Sequence, residues 1–134
     1  MIDYQITIPI SNDADIVSAR QQARELAKTI AFSSSELAGI AAAISELARN
    51  IVSYAQKGTV NVSLIQEAGK KGILVVVQDT GPGIADVKLA LQDGYSTSNS
   101  LGLGLPGVKR LMDSFEIHTE IGSGTKIILK KWAS

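Results

Sequence analysis

The 134 residues fall in the size range of one domain, 1–134, and a chain of this length hides roughly two-thirds of its unfolded surface on folding, enough for its own core. Hydrophobic residues at 45% and charged residues at 19% exclude a disordered chain, and thirteen basic residues against thirteen acidic ones leave no long-range field for nucleic acid or an anionic membrane. The absence of Cys excludes disulfides and thiolate metal sites and fits a reducing compartment.

Tyr4 to Ile10 alternates Ile6, Ile8 and Ile10 against Gln5, Thr7 and Pro9, the pattern of an edge strand, because Pro9 has no N–H for a ladder. Ser11-Asn12-Asp13 then offers an N-cap, and Ile16, Ala19, Ala23, Leu26, Ala27 and Ile30 fall at helical spacing as far as Ala31. Ser33 and Glu36 have capping-box spacing ahead of a second helix striped by Ile40, Ile44, Leu47, Ile51 and Tyr54. Val60 to Gln66 alternates as a half-buried strand. Ile73 to Val77 is continuously apolar, as expected of a strand buried on both faces, with Gly69 to Gly72 as the turn between the two. That run is far short of the roughly twenty apolar residues of a membrane span, and Met1 to Gln5 lacks the basic-then-apolar layout of a secretory signal, so a cytoplasmic location is expected.

Beyond Asp79 glycine becomes frequent and periodicity fades from Asp93 to Leu103, which reads as a mobile loop. Leu105, Val108, Leu111 and Met112 give one more short helix, with Pro106 in its first turn. Strands Phe115–Glu120 and Thr125–Trp132 close the chain around Ile121 to Gly124. The order is β-α-α-β-β-α-α-β-β. Its hairpin connections point to the α/β class, as an α+β two-layer sandwich with a mixed, mostly antiparallel sheet and helices packed on one face.

Three places carry chemistry. Glu46 and Asn50, four residues apart, share one helix face away from the core stripe; a carboxylate can take a proton from a hydroxyl, and an amide oxygen suits a hard cation such as magnesium. The same spacing also describes a solvated polar face. Asp79-Thr80-Gly81-Pro82-Gly83 puts a carboxylate at a strand end followed by backbone with few side chains, which suits a purine amino group and equally a strand-ending turn. Gly102-Leu103-Gly104-Leu105-Pro106-Gly107 leads into a helix, where free N–H groups favour phosphate. It follows a loop rather than a strand, which rules out a dinucleotide fingerprint, and P-loop and protein-kinase signatures are absent.

Together with Gly122-Ser123-Gly124-Thr125, these segments resemble, in order, the four nucleotide boxes of the GHKL ATPase superfamily. Ser45-Glu46-Leu47-Ala48-Arg49-Asn50 is similar to the first box of the bacterial anti-sigma serine/threonine kinases. Asp93 to Ser98 and Leu105 to Asp113 resemble most the switch kinases of the stressosome. The resemblance implies a GHKL fold and ATP with Mg2+ as cofactors. It implies Glu46 as the base that activates the acceptor hydroxyl, Asn50 as magnesium ligand and Asp79 as adenine anchor, with Gly81, Gly83 and Thr125 beside it. Gly102, Gly104 and Gly107 would wrap the phosphates, under a lid from Asp86 to Leu103 that brings Ser96 and Thr97 close. Arg49, Lys109 and Arg110 stay open between phosphate neutralisation and a solvated face, and His118 lies outside every box and is read as structural.

The implied activity is ATP-dependent phosphorylation of STAS-domain substrates in a partner-switching stress pathway, with a PP2C-type phosphatase as activated partner. Neither nucleic acid nor membrane is an expected partner. An alcohol acceptor gains from a base where an imidazole does not, and the chain is expected to carry no transducing domain of the kind a hydrolytic relative needs. The competing reading is a module that holds ATP as a structural ligand and sequesters its partner.

Overall fold

The computed structural model describes residues 2–83 and 104–133, Ile2 and Asp3 by backbone alone. Strand β1 (Ile2–Ile10) leads into helices α1 (Asp13–Ala27) and α2 (Ser34–Asn50), and α2 runs on into a π-helical turn, Ile51–Ala55. The hairpin β2 (Gly58–Glu67) and β3 (Lys70–Asp79) follows, then α3 (Leu105–Leu111) and a second hairpin, β4 (Ser114–Glu120) and β5 (Gly124–Trp132). The order agrees with the sequence reading; the other helix expected between β3 and β4 lies outside the described residues.

Local chemistry sets the boundaries. Both long helices begin in capping boxes, Asn12 with Asp15 and Ser33 with Glu36, so two first-turn N–H groups are satisfied at each end before any tertiary contact forms. Helix α1 stops at Ala27, four residues short of the expected Ala31. There Thr29 and Ile30 turn back on Leu26 and Ala27 with hydrogen bonds of 3.2 Å each. The β2–β3 turn is Ala68-Gly69 alone, both with positive φ (49° and 81°), a two-residue hairpin whose twist matches the strands; Lys70 to Gly72, expected in the turn, belong to β3.

The sheet order is β1-β2-β3-β5-β4, and every ladder is antiparallel among the described residues. β1 is an edge strand, as Pro9 required. One face of the sheet presents Ile8, Val60, Val62, Ile73, Val75, Val77, Ile127 and Leu129 to the helices, which return Ile16, Ala19, Ala23, Ile40, Ile44, Leu47, Ile51, Leu105 and Val108. Each fully buried Ile or Leu of that set contributes about 1.5–3 kcal/mol by transfer from water. The alanines on α1 let it lie close to α2. The opposite face carries no helix among the described residues, so β3 buries Ile73, Val75 and Val77 while Leu74 and Val76 remain half-buried. That corrects the expectation of a strand covered on both sides. No described helix is long and apolar enough to cross a membrane.

Candidate functional site

Helix α2 carries Glu46 and Asn50 on one face, half-buried, with exposed Ala42 one turn earlier on the same face. Ile44, Leu47 and Ala48 hold the helix to the sheet and so fix where that face points. The Glu46 carboxylate lies at the start of α3. Gly104, the N-cap residue of that helix, has φ +65°, and a Cβ there would come within 2.6 Å of Glu46 Oε1. Only a residue without a side chain lets the carboxylate occupy that place. The second oxygen, Oε2, lies 3.5 Å from Arg49 Nη1, and the two side chains are 30% and 56% exposed.

Asp79 ends β3 opposite Thr125 on β5 and Gly58 on β2. Its Oδ1 accepts the Gly81 N–H at 2.9 Å, which turns the backbone; Oδ2 makes no hydrogen bond among the described residues. The turn is packed from three sides. A Cβ on Gly81 would meet Ala55 Cβ at 2.5 Å, one on Gly83 (φ +79°) would meet the Glu120 carbonyl oxygen at 2.5 Å, and one on Gly124 (φ +108°) would collide with the Asp79 carbonyl. The Gly122 N–H donates to the Pro82 carbonyl at 2.9 Å, tying this turn to the β4–β5 turn. Thr119 Oγ1 donates to the Gly124 carbonyl at 3.1 Å and lies 2.9 Å from Thr125 Oγ1; with its one proton so placed, Thr125 is the donor between the two hydroxyls. A cavity of about 270 Å3 opens there, lined by Asp79, Thr119, Thr125 and Lys126 among others.

The structure therefore gathers Glu46, Asn50 and Gly104 at the junction of α2 with α3, and Asp79, Gly81, Gly83 and Thr125 at the neighbouring strand ends. Gly107 lies in the first turn of α3 with nothing within 4 Å of the place a Cβ would take. Ser96, Thr97 and Gly102, with the lid from Asp86 to Leu103, lie outside the described residues. Among the described residues no three His, Cys, Asp or Glu side chains cluster as metal ligands. His118 is exposed on the sheet's uncovered face, 3.4 Å from Glu116, and holds no core position.

Spacing places Tyr54 in the core stripe, and its ring does pack there, yet it also senses Glu46. Burial pushes its phenol above the ordinary value, and the Glu46 charge pushes it further. The cause is the π turn, in which the Gln56 N–H reaches back five residues to Ile51 at 2.7 Å. A π turn advances less per residue than an α-helix, so Tyr54 falls back toward the Glu46 face. Ideal α periodicity does not show that shift. Thr119 was likewise missed, and the two-residue alternation of β4 gives no sign that its hydroxyl meets Thr125.

Comparison with known proteins gives one consistent answer. A family model described as a histidine kinase-like ATPase domain matches residues 10–131. The serine/threonine-protein kinase RsbT of Bacillus subtilis is 48% identical over 128 residues, 96% of either chain. An anti-sigma F factor of Clostridium perfringens is 33% identical over 101 residues, 72% of either chain. Among solved structures, a chain from the SiaB-SiaC complex of Pseudomonas aeruginosa superposes with a TM-score of 0.58 at 15% identity, covering 98% of this chain and 90% of that one, a likeness of fold.

Proposed function

Because the chain belongs to the histidine kinase-like ATPase domain family, we propose that residues of α2, the end of β3 and the start of α3 together bind ATP for protein phosphorylation. The protein is a serine/threonine protein kinase of a partner-switching stress pathway. Its substrates in this reading are STAS-domain proteins, its activated partner is a PP2C-type phosphatase, and its setting is a cytoplasmic stressosome.

The observation that carries the transfer reaction is the Glu46 carboxylate, seated against the side-chain-free Gly104 where α3 begins. The residues present fit a purine nucleotide. Asp79 keeps one carboxylate oxygen available for an exocyclic amino group, Gly81 and Gly83 keep the approach clear, and Thr125 adds a hydroxyl. In this reading Gly104 and Gly107 would contact the phosphates, and the same role for Gly102, Ser96 and Thr97, which lie outside the described residues, rests on the sequence resemblance. Asn50 would offer an amide oxygen to Mg2+, a hard cation that takes oxygen ligands. Bound MgATP supplies the electrophilic γ-phosphorus.

Glu46 takes the proton of the acceptor Ser or Thr hydroxyl while that oxygen bonds to the γ-phosphorus; the bond to the β,γ-bridging oxygen breaks, and its electron pair leaves on ADP. Being partly exposed, Glu46 then returns its proton to water. Incubation with radiolabelled ATP, Mg2+ and a STAS-domain partner tests this, with Glu46→Gln beside the wild type. Wild type is expected to label the partner on Ser or Thr, and the variant to lose about 100-fold or more in rate while still binding ATP, the usual contribution of a positioned base. A wild type that binds ATP and partner but leaves no label would establish the sequestering module instead. An active variant would remove Glu46 from the role of base.

A further inference from the structure

The two carboxylate oxygens of Glu46 have different surroundings. Oε1 lies at the start of α3, in the space that Gly104 leaves by having no side chain, 2.6 Å from the place a Cβ would take. It accepts no hydrogen bond among the described residues. Oε2 lies 3.5 Å from Arg49 Nη1, and among the described residues that carboxylate is the only partner of the guanidinium. The two side chains leave α2 three residues apart, about 60° round the helix from one another. Ile44, Leu47, Ala48 and Ile51 are buried and leave α2 no freedom to roll, so the helix itself brings cation and carboxylate together. Arg49 stands in the last turn of α2, where the helix dipole favours a positive charge.

We propose that Arg49 is a positioning residue: its guanidinium holds Oε2 of Glu46 and thereby leaves Oε1, beside α3, as the oxygen that takes the proton of the acceptor hydroxyl. The inference rests on Glu46 as the base. A glutamate side chain turns about several torsions, and Glu46 is 30% exposed, so packing alone does not fix its end. Gly104 clears a place for one oxygen without binding it. A cation on the other oxygen supplies the missing constraint and leaves Oε1 unoccupied. An ion pair between partly exposed side chains adds little to stability, whereas a reacting group misplaced by about 1 Å loses about 100-fold in rate, so the effect of Arg49 belongs in the rate. Phosphate neutralisation by Arg49 would appear in ATP affinity instead, and partner docking in the KM for the partner. The single Nη1 to Oε2 contact is not a two-pronged fork, so the point charge of a lysine can stand in for it.

Initial rates of label transfer from MgATP to the STAS-domain partner, with both concentrations varied, test this on the whole chain. Wild type is compared with Arg49→Met, Arg49→Lys, Glu46→Gln and the double variant of Glu46→Gln with Arg49→Met. Arg49→Met is expected to lower kcat about 10-fold, to leave the KM for ATP and for the partner within about twofold, and to leave the thermal melt in place. Arg49→Lys should recover most of the rate. In the Glu46→Gln background Arg49→Met should cost nothing more, because a residue that acts through the Glu46 carboxylate then has nothing to hold. Wild-type kcat in Arg49→Met overturns the proposal, as does a loss confined to the KM for ATP or for the partner. Failure of Arg49→Lys to recover the rate also overturns it, and so do losses that multiply in the double variant. A Glu46→Gln variant as fast as wild type refutes the base itself; a slow Glu46→Gln beside an unimpaired Arg49→Met refutes the role of Arg49 alone.

Discussion

Replacing Gly104 by Ala separates backbone strain from the placement of the Glu46 carboxylate. Two costs arise. At φ +65° an alanine sits in the left-handed region, worth about 1–2 kcal/mol, which in a chain of this size lowers Tm by roughly 3–8 °C. The new methyl would also lie 2.6 Å from Glu46 Oε1, where ordinary contact begins at 3.4 Å, so the carboxylate must withdraw by 3.4 − 2.6 = 0.8 Å. Being the end of a flexible side chain it can do so at little cost in stability, but a misplacement of about 1 Å in a reacting group costs about 100-fold in rate. Gly104→Asn divides the two effects, because Asn tolerates the left-handed region yet still brings a Cβ. Thermal melts and initial rates of label transfer are the assays. Ala is expected to lose both stability and rate, and Asn to recover most of the stability and none of the rate. If Gly104→Ala melts several degrees lower but transfers phosphate at the wild-type rate, the contact with Glu46 does not position a base.

Gly107→Ala is the contrast: with open space at the Cβ position inside a helix, it should stabilise the fold by about 0.5–1 kcal/mol in chemical denaturation, and any loss it shows should be in ATP affinity. Asp79→Asn keeps an oxygen for the Gly81 N–H and should leave the melt nearly unchanged. Calorimetric titration with ATP should show affinity reduced roughly 10-fold to 100-fold, the worth of a charge-assisted hydrogen bond. Ser63 Oγ is buried with no hydrogen-bond partner among the described residues, so Ser63→Ala should raise stability or leave it unchanged, by about 0–1 kcal/mol in urea titration, and a loss above about 1 kcal/mol would mean that the hydroxyl is satisfied. Tyr54 binds its proton more tightly folded than unfolded, so its contribution to stability is full below 10.0 and lost as pH rises through the higher folded value. Tyr54→Phe should therefore flatten the alkaline fall in unfolding free energy relative to wild type.

The sequence by itself determined the elements and their chemistry. The capping boxes at Asn12 and Ser33, the edge-strand Pro9 and the alternation of β2 and β5 are decided within a few residues by hydrogen bonding and side-chain period, so they were legible. The same holds for Glu46 and Asn50 four residues apart, and for glycines where the backbone must turn. Tertiary structure decided which of these meet. That Gly104 is needed for the Glu46 carboxylate, that Gly81 is pressed by Ala55, and that Gly124 passes under Asp79 are contacts between segments tens of residues apart, and no local pattern encodes them. The π turn that carries Tyr54 toward Glu46 depends on a single extra residue per turn, below the resolution of a 3.6-residue period. The β3 run misled for a related reason: apolar character at Leu74 and Val76 records that both faces avoid water, but only packing shows that the helices cover one of them.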